Sequence, residues 1–286
     1  MQRATVVDSL SGAPVASAPL SYKVELPAAL DPIAWSQVTW RVESQALVDD
    51  VDAELVHDVV LRSLAPGSRL LDAGCGMAKW PSALRRHGHR AVGLDMSTTA
   101  LGLARSRDAT VPLVVADSRC MPVRTHALDA VLSEGVVEHE EHGPLDSLRE
   151  LHRVLKPGGT LVLDVPYDNW LRRLVMNHLQ TWVTAKRRRA GWTLGFSEYR
   201  FTHREVVRFL EQAGFQPLSA HPNDRRPPKN IGVWVDYHNL VFDPFKPTPP
   251  ATLFVLPPLL ARLVGVLMRR VPWFLCGTIT VIARAR

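Results

Sequence analysis

Leu70-Leu71-Asp72-Ala73-Gly74-Cys75-Gly76-Met77-Ala78 is the stretch that decides the fold of this chain. Its apolar start predicts the end of a buried strand, and a helix is predicted from about Lys79 to His87. Two glycines between a strand and a helix let the backbone approach a ligand closely, and the first helical turn offers free N–H groups. The stretch therefore indicates either a ligand-binding turn or a glycine turn that serves only the corner between strand and helix.

The third glycine of the dinucleotide-binding pattern G-x-G-x-x-G is absent. Counting from Gly74, that position holds Lys79, whose long side chain does not suit the close packing of helix on strand. An acid at the strand end also suits a cationic amino-acid ligand better than a pyrophosphate. A nicotinamide-dependent oxidoreductase is therefore disfavoured, although it stays open as an alternative.

Composition favours a globular, cytoplasmic protein. The chain has 286 residues, of which 46% are hydrophobic, and a net charge of +6. Cys75, Cys120 and Cys276 lie far apart without C-x-x-C spacing, so neither a disulfide framework nor a zinc site is expected. The first residues lack the pattern of a secretory signal, and we expect the protein not to be secreted.

Apolar strands alternate with helical patterns through residues 67–166, which we expect to form one ligand-binding core. Strands are predicted at 69–73, 89–94, 112–115, 128–132 and 160–165, and helices at 79–87, 98–106 and 145–155. This alternation predicts an α/β fold, a doubly wound, Rossmann-like and mostly parallel sheet with helices on both faces. The ligand should lie at the carboxyl ends of the strands.

The flanking segments predict additions to this core. Residues 1–66 should form an arm and a helical cap, with one helix from Asp31, which includes Trp35 and Trp40, and another over 51–64. Residues 202–220 should hold a helix opened by the capping box Thr202–Glu205 and a short strand. A last strand over 275–283, within the segment 274–286, is expected antiparallel beside it, and 167–201 and 221–273 remain as lid-like inserts.

Three acids end three successive predicted strands: Asp72, Asp95 and Asp117. Asp95 follows Asp72 by 23 residues and can accept hydrogen bonds from ribose hydroxyls. Asp117, which precedes Ser118, can accept from an exocyclic adenine amine. Each acid taken singly would more often be a turn or cap residue. Together with the two glycines they predict a single pocket for an adenosine-containing ligand.

Residues 69–166 resemble the core of the class I S-adenosylmethionine (SAM) dependent methyltransferases. The matching segments are Asp72-Ala73-Gly74-Cys75-Gly76, Gly93-Leu94-Asp95-Met96-Ser97, Ala116-Asp117, Leu128-Asp129-Ala130-Val131-Leu132 and Leu155-Lys156-Pro157-Gly158-Gly159-Thr160. Ala78 departs from the family pattern, because it stands where the first motif has its last glycine. The resemblance implies S-adenosyl-L-methionine as the cofactor and methyl transfer as the activity.

The resemblance also implies residue roles. Asp72 and the glycine turn would face the methionine part of SAM, and Asp95 would bind the ribose. Met96 would pack on the adenine, whose edge Asp117 and Ser118 would read. With Glu134, which ends the fourth strand, the predicted cofactor contacts are Asp72, Gly74, Cys75, Gly76, Asp95, Met96, Asp117, Ser118 and Glu134.

Glutamates and histidines follow the fourth strand, over residues 134–142. His139 is the candidate general base, because imidazole titrates near neutrality, and it is needed only if the acceptor must lose a proton. The alternative is a histidine bonded to backbone at a helix start. These residues lack a firm metal-ligand spacing, so no metal is predicted. Asp164-Val165-Pro166-Tyr167 resembles a motif of nucleic-acid base methylases but follows the fifth strand, where that motif does not belong.

The two inserts should hold the acceptor. The first combines aromatic residues with the basic run 186–189, which suits nucleic acid, an anionic lipid head group or a phosphorylated molecule, or else is a solvated helix face. The second contains the apolar segment 251–270, which is too broken to cross a membrane and is either a lid or a peripheral membrane contact.

These patterns predict a methyltransferase that acts on a small-molecule or lipid-like acceptor, at oxygen. A non-catalytic SAM-binding partner subunit and an RNA methyltransferase stay open as alternatives. A nucleic-acid acceptor is disfavoured, since no separate RNA-binding module is visible. The sequence leaves the oligomeric state open.

Overall fold

The computed structural model describes residues 22–27, 51–241 and 255–286. Seven strands form one sheet in the order β4-β3-β2-β5-β6-β9-β8, and β1 and β7 form a second, two-stranded sheet. The strands are β1 Tyr22–Pro27, β2 Arg69–Ala73, β3 Arg90–Asp95, β4 Leu113–Val115, β5 Leu128–Glu134, β6 Leu155–Pro166, β7 Leu194–Arg200, β8 Phe215–Asn223 and β9 Thr278–Ala285. Strands β2 to β6 run parallel, and β9 is antiparallel to both β6 and β8. The predicted fold class is confirmed.

Helices flank the large sheet and build the two inserts. They are α1 His57–Ser63, α2 Lys79–Arg86, α3 Thr98–Arg107, α4 Leu145–Val154, α5 Asn177–Arg189, α6 His203–Gln212, α7 Ile231–Val241, α8 Pro258–Arg270 and α9 Pro272–Leu275. Short 3₁₀ turns cover 51–53 and 137–139, and a π-helical turn at 172–176 leads into α5. Helix α6 begins at the predicted capping box of Thr202 and Glu205.

Alternate residues of each strand face opposite sides of the sheet, and each side has its own core. On one side Leu132 of β5 and Val162 of β6 pack with Trp80 and the residues of α1. On the other side Val131 and Leu161 pack with α4 and α6. The acids at the carboxyl ends of β2, β5 and β6 continue the first side, so they extend the core that α1 and α2 cover.

The segment before α1 differs from the continuous helix predicted over 51–64. The backbone N–H of Leu55 donates to the carbonyl of Asp224 at 3.1 Å, and the backbones of Glu54 and Arg225 pair as an isolated antiparallel β-bridge. Pairing with this distant segment interrupts the helix, so only His57–Ser63 is α-helical. Strand β6 also begins earlier than predicted, because Leu155 already pairs with Leu128. The last strand occupies Thr278–Ala285 rather than 275–283. The helix predicted from Asp31 lies outside the described residues.

The two inserts pack together as a cap, which we define as residues 167–201 and 221–273 as far as described. Strand β1 pairs antiparallel with β7, so residues 22–27 add a strand to this cap. Leu171 of the first insert and Trp234 of the second pack on the buried side of α8. Within the described part of the chain, no helix is long and apolar enough to cross a membrane.

Candidate cofactor site

The turn after β2 brings the backbone close to its surroundings. Gly74 has φ +86°, and a Cβ placed there would lie 2.2 Å from Cγ2 of Val136. Its N–H donates to the carbonyl of Leu94 at 2.7 Å, which ties the turn to β3. A side chain at position 74 is therefore excluded both by conformation and by contact. Ala78 also has a positive φ, of +55°, and its methyl packs with Leu101 in a small buried cluster.

Asp95, at the end of β3, is held by two backbone N–H groups. Gly76 N donates to Oδ2 and Ser97 N donates to Oδ1, both at 2.8 Å. Burial raises the pKa of Asp95, and these hydrogen bonds oppose the shift. Each carboxylate oxygen accepts one bond here and has capacity for another, as two ribose hydroxyls would require.

Asp72 is more deeply buried than Asp95, with 4% of its surface exposed against 8%. Within the described residues, no donor forms a hydrogen bond with its carboxylate. Burial, and after it the Glu134 carboxylate, raises its pKa well above the ordinary value, against the opposing charge of Lys79. A cationic donor would satisfy this group, so the site fits the ammonium end of SAM.

Lys79, the residue that breaks the dinucleotide pattern, has a structural role. Its Nζ lies 2.7 Å from Oε1 of Glu134 and 2.5 Å from Oε1 of Glu54. The indole Nε1 of Trp80 donates to the other oxygen of Glu134 at 2.6 Å. These contacts fasten the start of α2 to the end of β5 and to the segment before α1. Sequence reasoning missed this contact because Glu54 and Glu134 lie far from Lys79 along the chain.

Two of the predicted cofactor contacts have partners within the protein in this structure. Both oxygens of Glu134 already accept hydrogen bonds from α2, so Glu134 positions that helix in this structure. The Cys75 thiol faces the interior, where a Cβ on Gly93 would lie 2.6 Å from its sulfur. Burial raises the pKa of this thiol, so Cys75 is a chemically inert residue that packs in the interior. In the sequence, Gly93 is the signal for this packing of Cys75, because a residue without a side chain leaves room for the sulfur.

The predicted adenine contacts lie at neighbouring strand ends. Ala116 N donates to the carbonyl of Asp95 at 3.1 Å, which brings the residues after β4 beside those after β3. Met96 is exposed there, and Ser118 is half-buried. The Asp117 carboxylate accepts from Nε and Nη2 of Arg119 at 3.0 and 2.6 Å, and these bonds lower its pKa. An adenine amine would share this carboxylate with Arg119.

His139 and Glu138 follow β5 in a 3₁₀ turn. Nδ1 of His139 lies 2.7 Å from the carbonyl oxygen of Ser197, so Nδ1–H donates and the neutral ring leaves Nε2 as an acceptor. Burial lowers the pKa of His139, but the carboxylates of Glu138 and Glu198 outweigh it and the net shift is upward. Burial raises the pKa of Glu138 to about 7, and its Oε2 has no hydrogen-bond partner among the described residues.

Asp164 ends β6 beside Glu134 and is buried. It accepts hydrogen bonds from Asn223 Nδ2 and Thr278 Oγ1, each at 3.0 Å, and from Thr280. Burial, and after it the Glu134 carboxylate, raises its pKa to about 8. Asp164 thus joins the ends of β8 and β9 to the site, a role unrelated to the base-methylase motif that it resembles. Among the described residues, no group of three His, Cys, Asp or Glu side chains is arranged to hold a metal ion.

Comparison with known proteins agrees with this geometry. Residues 71–163 match the family model described as a methyltransferase domain. Malonyl-[acyl-carrier protein] O-methyltransferase of Serratia marcescens is 36% identical over 118 residues, which are 40% of this chain and 46% of that protein. Probable tRNA methyltransferase 9B of Bos taurus is 34% identical over 107 residues, 37% of this chain and 23% of that protein. The chain therefore spans less than half the length of these curated relatives.

The fold is also that of solved methyltransferases. In a complex between the Haloferax volcanii Trm112 methyltransferase activator and a methyltransferase, the matching chain superposes with a TM-score of 0.56 at 19% identity. The match covers 90% of this chain and 99% of that one. Identity at this level shows the fold alone, whereas the family match rests on the same segment that carries the glycine turn and its acids. Residues 71–163 thus match a methyltransferase domain, over the same segment that resembles the class I S-adenosylmethionine-dependent methyltransferases.

Proposed function

We propose that this chain transfers a methyl group from SAM to an oxygen of a small-molecule or lipid-like acceptor. The observation that carries the proposal is the buried Asp72 carboxylate, which has no hydrogen-bond donor among the described residues and lies beside a glycine turn without room for a side chain. A cationic amino acid would supply that donor, and Asp95 would hold the ribose. When bound, SAM supplies an activated methyl group on a sulfonium sulfur.

The chain's own part in catalysis is to orient the reactants and exclude water. Lys79 and Trp80 fix the helix that follows the glycine turn through their shared contact with Glu134. The cap begins at the carboxyl end of β6, where Tyr167 packs against Trp273 of the second insert. Oxygen as the acceptor atom is supported by the O-methyltransferases among the relatives.

His139 is our candidate for the base. The hydrogen bond from its Nδ1–H to Ser197 fixes the tautomer, so that Nε2 can take the proton of an acceptor hydroxyl. Ser197 lies in β7, hence the first insert positions a residue of the core. An acceptor that reacts as a carboxylate would need no base, and His139→Gln would then leave turnover unchanged.

Calorimetric titration with SAM and an assay for S-adenosylhomocysteine release over a panel of acceptors test the proposal together. The panel should include fatty acyl carboxylates, prenylated phenols and short hydroxy acids. We expect SAM to bind and at least one oxygen acceptor to be turned over. Binding of SAM without turnover of any acceptor would favour a SAM-binding partner subunit, and binding of NADH without SAM would favour an oxidoreductase.

RNA is the second candidate acceptor. It is supported by the similarity to the probable tRNA methyltransferases and by the net charge of +6. Methylation of bulk tRNA, with binding that weakens steeply as salt rises, would favour it over the lipid-like acceptor.

We also propose that the segment 251–270 contacts a membrane surface. Helix α8 buries Ala261, Val264 and Met268 against the rest of the cap, while Leu259 and Leu263 on its other side are exposed. The buried side of α8 would therefore serve the lid, and its exposed apolar side is free for a contact with a membrane. Retention of acceptor turnover after deletion of 251–270 would count against both roles.

A further inference from the structure

The first insert exposes large apolar side chains along one line. Trp170, Leu174, Val175, Leu179 and Trp182, which we call the Trp–Leu face, are all exposed, with Leu174 and Trp182 at 62% and 63%. Spacings of three, four and five residues place them on one side of the π-helical turn and α5. This is a continuous surface rather than a set of scattered apolar residues, and such surfaces mark contacts with a partner or membrane.

The opposite side of the same helix is polar and buried. Arg172 donates from Nε to both oxygens of Asp236 at 3.0 and 3.1 Å, and Arg200 Nη1 lies 3.0 Å from Asp236. Gln180, two turns further along, is buried beside Arg200. The inward side of the helix thus carries Arg172 and Gln180, while large apolar side chains lie on its exposed side, where a solvated surface helix would have polar residues. The helix therefore has polar residues on its buried side, and apolar residues occupy the exposed Trp–Leu face.

The charge around the Trp–Leu face has a single sign. Residues 170–190 contain no Asp or Glu, and the guanidinium of Arg173 lies 5.2 Å from the ring centre of Trp170. The ammonium of Lys186 lies 5.5 Å from the ring of Trp182. Tryptophans beside cationic groups on an otherwise aliphatic helix side are typical of the membrane interface.

Helix α8 repeats this chemistry in the second insert. Leu259, Leu263 and Val266 are exposed, Arg262, Arg269 and Arg270 lie among them, and residues 255–275 contain no acidic residue. The two helices are joined through one apolar cluster, because Leu171, just before the π-helical turn, contacts the buried side of α8. Single-stranded RNA would use the aromatic rings and the cations but not the exposed leucines and valines.

We propose that the Trp–Leu face docks on an anionic lipid bilayer, with the aliphatic residues and tryptophans in the interface and Arg173 and Lys186 at the lipid phosphates. The inference rests on the proposed membrane contact of 251–270 and adds a second helix to it. Two weak contacts on one rigid cap bind far more tightly than either alone. Docking would present the cap to an acceptor that resides in the bilayer.

Co-sedimentation with vesicles tests the proposal on the full chain. Vesicles of phosphatidylcholine and vesicles of equal parts phosphatidylcholine and phosphatidylglycerol are compared at low and high salt. We expect binding to the phosphatidylglycerol vesicles only, weakened by salt. Leu174→Gln with Trp182→Gln should reduce that binding about tenfold or more. The matched control Leu218→Gln, at an exposed leucine of β8 outside the cap, should bind as the unaltered chain does.

Lys186→Glu tests the charge and should weaken binding to phosphatidylglycerol vesicles without affecting folding. Far-ultraviolet circular dichroism and SAM affinity, both unchanged in the variants, show that a loss of vesicle binding is not unfolding or failure of the cofactor site. Equal binding by the Leu174→Gln/Trp182→Gln variant would overturn the proposal. A complete absence of vesicle binding would also overturn it. The same holds if the Trp–Leu face binds RNA or joins two copies of the chain into a dimer.

Discussion

The cofactor core and the cap distribute charge in opposite ways. In the core, apolar residues fill both sides of the sheet, and the carboxylates of Asp72, Asp95 and Glu134 lie at the carboxyl ends of their strands. In the cap, the charged groups Arg172, Arg200 and Asp236 are buried, and tryptophan and leucine side chains reach the surface. This difference matches the two proposals, a cofactor held inside the core and a bilayer contacted by the exposed side of the cap, whose interior contains an ion-pair network.

The buried network of the cap gives the largest expected effect. Asp236→Ala would leave Arg172 and Arg200 without their shared carboxylate, and breaking a buried ion pair costs about 3–5 kcal/mol. We expect urea unfolding to show a loss of that size in the free energy of unfolding. The variant Arg172→Met/Asp236→Leu, which replaces the pair with apolar residues, should lose less than the sum of the two single changes. Additive losses would contradict a network and reduce the cap to independent contacts.

The glycine turn of the core gives the next largest effect. Gly74→Ala places a methyl group 2.2 Å from Val136 Cγ2 and at a positive φ, so we expect a loss of about 2–4 kcal/mol in the free energy of unfolding. Gly88→Ala is the matched control, because its φ is +83° but no heavy atom lies within 4 Å of the added Cβ. It should cost only about 1 kcal/mol. If both cost the same, the turn is limited by backbone conformation and not by contact with Val136.

The contrast between core and cap also separates what the sequence could predict from what it could not. The strands of the core are apolar runs of regular spacing, and parallel topology brings their ends to one edge, so Asp72, Asp95 and Asp117 could be grouped from the sequence. The contact of Lys79 with Glu54 and the pairing of Arg172 with Asp236 join residues 25 and 64 positions apart. No local pattern encodes such pairs. The outward Trp–Leu face was likewise hidden, because a helical apolar pattern normally predicts a buried side.

Asp95 tests whether the core holds its ligand as proposed. Asp95→Ala removes two hydrogen bonds to a ribose and also frees the N–H of Gly76, so SAM binding should weaken by about 1–3 kcal/mol, or roughly 5–150-fold. Calorimetric titration measures the change. Asp129→Ala removes an acid from the start of β5, where it pairs with Lys156, and should leave SAM affinity as it was. Unchanged affinity in Asp95→Ala would mean that the cofactor does not lie at this strand end.

Glu138 gives the smallest and most specific effect, at the point where cap and core meet. Burial raises its pKa from 4.5 to about 7, so the folded state prefers the protonated carboxyl. Its contribution to stability is complete below pH 4.5 and is lost as the pH rises through 7. By itself it should lower the free energy of unfolding by about 1 kcal/mol between pH 6 and pH 7.

Glu138→Gln should remove that part of the pH dependence, while Glu211→Gln, the same change at an exposed site of α6, should not. His139, Glu198 and Glu134 are the charged groups around Glu138, and its carboxylate raises the pKa of His139. The variant should therefore also lower the pKa of His139, which a histidine resonance in NMR would report. Because Ser197 of the first insert holds the same imidazole, an unchanged His139 pKa would mean that the cap, and not the neighbouring carboxylate, sets the protonation of the candidate base.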